Sequence, residues 1–114
     1  MMIPYGKQDI DQNDIDAVVN TLQADFLTQG PKVKEFEDKF TEYVGSKYAV
    51  ACVNGTSALQ VSLRLVCVKP GDEVIVPTLT FIGPVNAIAY NRASPIFMDA
   101  DEYYNIDVEK TVEF

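Results

Sequence analysis

Apolar residues recur along this chain with two different periods, and each change of period marks where a helix gives way to a strand. Ile15, Val18, Val19 and Leu22 fall at i, i+3, i+4 and i+7, on one face of a helix. Asp11, just before them, can accept bonds from the first free amides as an N-cap. Gly30-Pro31 opens a second helix, with the proline where its missing N–H does no harm. Val33, Phe36, Phe40 and Tyr43 form the inward stripe of that helix, and Gly45 is placed to stop it.

The period then shortens. Tyr48 to Val53, YAVACV, is a continuous apolar run of strand length, the pattern of a strand covered on both faces. Leu59, Leu63 and Val66 give the next segment a helical face. Lys69-Pro70-Gly71-Asp72 turns into a second buried strand, Glu73 to Val76. Gly83-Pro84 opens a short helix through Val85, Ile88 and Ala89, Asn91 can take the left-handed position at its end, and Ser94 to Met98 forms a third strand. A last helix is expected over Val108 to Phe114. From Tyr48 the order is strand, helix, strand, helix, strand, which argues for an α/β architecture with a mostly parallel sheet. No linker divides the chain, so the expectation is one domain over residues 1–114.

Composition narrows the function classes. The chain has 114 residues, 47% of them hydrophobic, which suits a small globular domain or a piece of a larger one. Nine Lys and Arg against seventeen Asp and Glu leave a net charge of −8. With no basic cluster to neutralise a phosphate backbone, nucleic acid is not an expected partner. No apolar run approaches the ~18 residues of a membrane span, and Met1-Met2-Ile3-Pro4 lacks the basic start of a signal peptide, so no membrane partner and a cytoplasmic location are expected. Two cysteines, Cys52 and Cys67, are too few for a disulfide framework and read as reduced thiols. Without a histidine, a zinc site is hard to assemble, and no metal is expected.

In parallel sheets ligands sit beyond the carboxyl ends of the strands. Three loops qualify: Asn54-Gly55-Thr56-Ser57, Pro77 to Phe81, and Asp99-Ala100-Asp101. At a helix start the first N–H groups lack partners and the dipole is positive. Gly55 there would let a phosphate approach, and Thr56 and Ser57 could add side-chain bonds. The structural alternative is that Thr56 caps the helix and Gly55 makes a tight turn. Neither G-x-x-x-x-G-K-[ST] nor G-x-G-x-x-G is present. Phe81, among Pro77, Thr78 and Thr80, could stack on a flat cofactor ring, or could be an ordinary core phenylalanine. Asp99 and Asp101 could hold a divalent ion, but carboxylates after strands more often cap turns.

The segments LTQGPKVKEFEDKF (Leu27 to Phe40), YAVACVNGTSAL (Tyr48 to Leu59), KPGDEVIVPTLTF (Lys69 to Phe81), NAIAY (Asn86 to Tyr90) and SPIFMDAD (Ser94 to Asp101) together resemble the amino-terminal part of the DegT/DnrJ/EryC1/StrS family. These are pyridoxal-phosphate-dependent aminotransferases acting on nucleotide-linked keto sugars. The resemblance implies the amino-terminal part of the large domain of the aminotransferase fold type I, here incomplete, with pyridoxal 5'-phosphate as cofactor. It further implies a nucleotide-linked keto sugar and an amino-acid donor as partners, and a homodimer in the full-length parent. The family's G-T-S turn contacts the cofactor phosphate, and the aromatic of its P-x-x-T-[FW] loop stacks on the pyridine ring. Carried over by position, Gly55, Thr56, Ser57 and Phe81 become cofactor-binding residues. Thr28 and Gly30, in the L-T-x-G segment, fall on the substrate side. The family's D-x-D, matched by Asp99 and Asp101, is not a metal site. GKQDI and FLTQGP resemble members that build bacterial nonulosonic acids, a role in surface-polysaccharide synthesis. Cys67 and Asn91 sit where the family often carries glycine after a helix.

The resemblance also implies what these residues do not include. The Schiff-base lysine and the carboxylate on the pyridinium nitrogen come well downstream of residue 114 in the family, so no catalytic residue is assigned and the chain alone is expected to be inactive. The strand Tyr48 to Val53 is separated from the next two, in that fold, by strands supplied later. The two amino-terminal helices likewise pack on later surface. Two other readings stand beside the enzymatic one: a non-catalytic truncated remnant or phosphate-binding module, and a nucleotide-sugar glycosyltransferase using Asp99 and Asp101 on a metal.

Overall fold

A computed structural model describes residues 5–114, which fall into two compact units, one up to Ala51 and one from Cys52 to Phe114.

The first unit is helical, and its helix boundaries are set locally. Helix α1, Gln12–Leu22, begins with a reciprocal capping box. The Asp14 amide donates to Asp11 Oδ1 at 3.0 Å, and the Asp11 amide to Asp14 Oδ2 at 3.1 Å. Two orphan donors are thereby satisfied, and the backbone bond from Asp14 holds the Asp11 carboxyl below its ordinary value. Helix α2, Pro31–Val44, starts with proline after Gly30 and stops at Gly45, whose φ of 68° is the left-handed conformation expected there. The apolar stripes built for burial are nevertheless open. Val18 and Leu22 of α1 and Phe36 of α2 are about 60% exposed, and none of the described residues up to Ala51 is buried.

The polar face of α2 carries Glu35 between Lys32 at 2.7 Å and Lys39 at 2.8 Å, with Lys34 paired to Asp38. Hydrogen bonds from Lys32 and Lys39 hold the Glu35 carboxyl at about 2, against an ordinary 4.5. A depressed carboxylate stabilises the fold above its unfolded value and ceases to do so as pH falls through its folded one. The helicity of α2 is therefore expected to decline between about pH 4.5 and 2. Because the groups are solvent-exposed, the decline should be slight and shrink in ~1 M salt. A circular-dichroism acid titration at two salt concentrations checks this; a salt-independent decline would rule out the ion pairs as its cause.

The second unit is built on a β-α-β element. Strand β1, Glu73–Pro77, pairs in parallel with β2, Ser94–Met98, in the register Glu73 to Ser94 through Pro77 to Met98. Helix α4, Ile82–Tyr90, makes the crossover, and α3, Gly55–Leu65, packs beside it. Val76, Ile88 and Ala93 form the buried centre, with Leu63, Val68, Val74 and Val85 packed against it. A valine, leucine or isoleucine side chain contributes roughly 1.5–3 kcal/mol when fully buried, so this small core carries the unit; a two-stranded sheet alone would be marginal. Helix α5, Val108–Glu113, follows, capped by Asp107.

The structure corrects three sequence expectations. The run 48–53 is not a strand, because the described sheet holds β1 and β2 alone and a strand forms only against a hydrogen-bonded neighbour. Asn54, not Thr56, caps α3. Asn91 is not left-handed: its φ is −84°, and the next residue, Arg92, turns the chain with φ 59°. Cys67 does adopt the positive φ, 65°, that its position after α3 suggested.

Candidate functional site

Helix α3 begins at the end of its unit from which β1 leads, through Thr78–Phe81, into α4. The backbone enters it through Asn54, in an extended conformation. The Ser57 amide donates to Asn54 Oδ1 at 2.9 Å, and the Ala58 amide to the Asn54 carbonyl at 3.1 Å. Among the described residues, the Gly55 and Thr56 amides and the Thr56 and Ser57 hydroxyls have no partner within the chain. Two free amides and two free hydroxyls thus stand at the positive end of an 11-residue helix. Because Asn54 has taken over the capping role, the Thr56 hydroxyl is not consumed by it.

Phe81 is the residue immediately before α4, and it is 76% exposed rather than part of the core. What brings it to Thr56 is Gly83, which is buried in the first turn of α4. A Cβ placed on Gly83 would lie 2.9 Å from Thr56 Oγ1 and 3.1 Å from both Cδ1 and Cε1 of Phe81. The hydroxyl and the ring therefore close on the same point, and any side chain at residue 83 must displace one or both of them. Gly83 also precedes Pro84, where a Cβ would clash with the proline ring in a helical conformation. Sequence reasoning used Gly83 only as a helix opener. The signal it passed over is a glycine inside a helix that needs neither a positive φ nor a cap.

A phosphate handle beside an exposed aromatic face is the donor set that pyridoxal phosphate requires: a dianion for free amides and hydroxyls, and a flat heteroaromatic ring for stacking. The residues present fit the group.

Thr28 and Gly30 belong to the other unit. Thr28 is exposed in the turn before α2, and Gly30 is the residue that enters that helix. A Cβ on Gly30 would come within 2.5 Å of the Phe26 carbonyl oxygen, so glycine is required there by the turn itself. Asp101 caps a turn: the Tyr103 and Asn105 amides both donate to its Oδ1 at 2.9 Å. Asp99 is paired with Lys110 at 2.7 Å, and that ammonium lowers its carboxyl below the ordinary range. The two carboxylates are thus engaged by a turn and by a lysine. Lys32, Lys34, Lys39 and Lys110 are in ion pairs, and Lys47 lies 5.2 Å from the Tyr48 ring centre. No described helix is long and apolar enough to cross a membrane.

The model of the DegT/DnrJ/EryC1/StrS aminotransferase family matches residues 8–113. The chain is 42% identical, over 95% of its length, to the spore coat polysaccharide biosynthesis protein SpsC of Bacillus subtilis. It is 40% identical, over 89% of its length, to GDP-perosamine synthase of Caulobacter vibrioides. In both cases it spans 28% of the relative's length. Among solved structures, the PLP form of Spr1654 from Streptococcus pneumoniae superposes with a TM-score of 0.86 at 34% identity, covering 97% of this chain and 29% of that one. The E. coli GDP-4-keto-6-deoxy-D-mannose-3-dehydratase with bound hydrated PLP gives 0.87 at 28% identity, covering 96% and 30%. The fold is thus the α/β arrangement of these PLP proteins, over the part that the chain spans.

Proposed function

The chain belongs to the DegT/DnrJ/EryC1/StrS aminotransferase family, and from that membership we propose that the full-length protein transfers an amino group from an amino acid to a nucleotide-linked keto sugar, using pyridoxal phosphate. The observation that carries this reading is the convergence of the Thr56 hydroxyl and the Phe81 ring on Gly83, at a helix start with two unused amides. The relatives named for spore coat polysaccharide and GDP-perosamine support a role in surface-polysaccharide synthesis, and the GKQDI and FLTQGP segments favour a nonulosonic acid.

When bound, pyridoxal phosphate supplies the electron-withdrawing ring through which amino groups are exchanged. The residues of this chain bind and orient it. The Gly55 and Thr56 amides and the Thr56 and Ser57 hydroxyls hold the phosphate, reinforced by the α3 dipole. Phe81 would stack on the ring and exclude water from that side. Thr28 and Gly30 serve the substrate side. The parent acts as a cytoplasmic homodimer, with its cofactor-bearing lysine outside these 114 residues.

The test is transfer of ¹⁵N from labelled glutamate to a nucleotide-linked 4-keto or 3-keto hexose by the full-length protein, read by mass spectrometry of the sugar nucleotide. A gain of one labelled nitrogen that depends on added pyridoxal phosphate is expected. Tight cofactor binding with no transfer to any keto sugar would instead establish a binding module.

A further inference from the structure

At the opposite end of β1 and β2, where the strands begin, the chain forms a second feature that the proposed reaction does not use. A hollow of about 440 Å³, within the size range of small-molecule sites, is lined by Arg64, Lys69, Tyr90, Asn91 and Arg92 among others. Both arginines of the chain are here, and no acidic residue lines the hollow. The five-residue strands and the 11-residue α3 set it about 16 Å from the Thr56 turn.

The charge is held there by design of the local fold. Asn91, 5% exposed, donates from Nδ2 to the carbonyls of Gln60 at 3.2 Å and Ala87 at 2.8 Å, and accepts from Arg64 Nε at 3.1 Å on its Oδ1. The guanidinium of Arg64 is thereby anchored by one nitrogen, its remaining donors uncommitted. Four lysines of the chain are in ion pairs, but Arg64, Lys69 and Arg92 share none among the described residues. Asp72, the acid next in sequence, accepts the Lys69 backbone N–H on Oδ2. The carboxyl ends of α3 and α4 each contribute roughly half a negative charge at the rim, which with the Asp72 carboxylate beside Lys69 leaves about one positive charge uncompensated in a chain of net charge −8. Arg92 holds this place in a left-handed conformation that glycine would adopt with less strain.

We propose that this hollow binds a diphosphate group, with Arg64 and Arg92 as planar donors, Lys69 as a point charge, and the Tyr90 ring available to a nucleoside carried on the diphosphate. The site is separate from the α3 turn and is suited to sensing a nucleotide rather than to reacting with it.

The test is isothermal titration of the pyridoxal-phosphate-loaded, full-length protein with uridine diphosphate and with inorganic pyrophosphate, comparing wild type with Arg92→Gly and with Lys69→Gln. Arg92→Gly removes a cation while relieving the positive φ, so its fold is kept. Loss of one charge-assisted contact should weaken one binding event per chain roughly tenfold or more in each variant, and added salt should weaken it in the wild type. Tighter binding of uridine diphosphate than of pyrophosphate, reversed in Tyr90→Leu, identifies a nucleotide as the source of the diphosphate. Equal affinities, lost in the cation variants, identify the inorganic anion. Isotherms unchanged by both cation variants overturn the proposal, and the cations then only complement the two helix ends.

Discussion

Replacing Gly83 with valine is expected to weaken pyridoxal phosphate binding to the full-length protein by roughly a hundredfold, through loss of one charge-assisted bond and misplacement of the stacking ring. The branched side chain would enter the space where a single Cβ already meets Thr56 Oγ1 at 2.9 Å and the Phe81 ring at 3.1 Å. Neither neighbour can keep its position. Gly83→Ala should do much less, because the Thr56 hydroxyl and the Phe81 ring it meets are side-chain groups that can rotate away at a cost of about 1 kcal/mol. The ordering Val far above Ala distinguishes displacement of the site from loss of backbone freedom at residue 83. Cofactor affinity by equilibrium dialysis measures it. Thr56→Val and Phe81→Leu, which remove one partner each at positions that are not buried, should each lose part of the same affinity with the melting temperature of the cofactor-free protein unchanged. If Gly83→Val binds as tightly as wild type, or if Thr56→Val and Phe81→Leu do, the α3 turn does not hold the cofactor.

The parts of this fold that were legible in sequence are those whose determinants lie within one turn of the residue concerned. Asp11 with Asp14, Gly30-Pro31 and Gly45 fix the ends of α1 and α2 without reference to anything distant. Strands β1 and β2 were legible because the crossover that pairs them lies between them in sequence. The run 48–53 has the apolar pattern of a buried strand, but pairing is a property of two segments, and pattern alone names only one. The candidate site divides in the same way. Phe81 and the Gly55-Thr56-Ser57 turn could be read as loops beyond the sheet, and Asn54 as cap follows from a side chain two residues before Thr56 that the sequence reading passed over. Gly83 was legible only as a helix opener, since its steric requirement comes from α3 meeting α4 at that point. The open faces of α1 and α2 belong with these non-local features: residues such as Val18 and Phe36 have a period that demands burial, and the described residues do not supply the surface that covers them.

Asn91 and Arg92 give the sharpest separation between what is local and what is not, and they yield a prediction of opposite signs at adjacent positions. Local reasoning places Asn91 in the left-handed position after α4, which would make Asn91→Gly harmless. The structure instead buries Asn91 and gives the positive φ to Arg92. Its side chain ties α4 to α3 through the Gln60 carbonyl and Arg64, and closes on its own helix at Ala87. The amide has one orientation that works, because Nδ2 faces two carbonyls and Oδ1 a guanidinium. Removing it forfeits three hydrogen bonds at about 1 kcal/mol each and leaves two carbonyls, that of Ala87 buried, short of a donor. Asn91→Ala is therefore expected to lower stability by about 3 kcal/mol, and Asn91→Gly by more, since glycine in this non-left-handed position adds backbone entropy to the loss. Arg92→Gly should raise stability by about 1 kcal/mol, because the native φ is one that glycine reaches without strain. Urea denaturation of the three variants of the full-length protein decides the matter. A neutral Asn91→Gly beside a destabilising Arg92→Gly would return the left-handed turn to residue 91 and, with it, remove the anchor that holds Arg64 at the basic hollow.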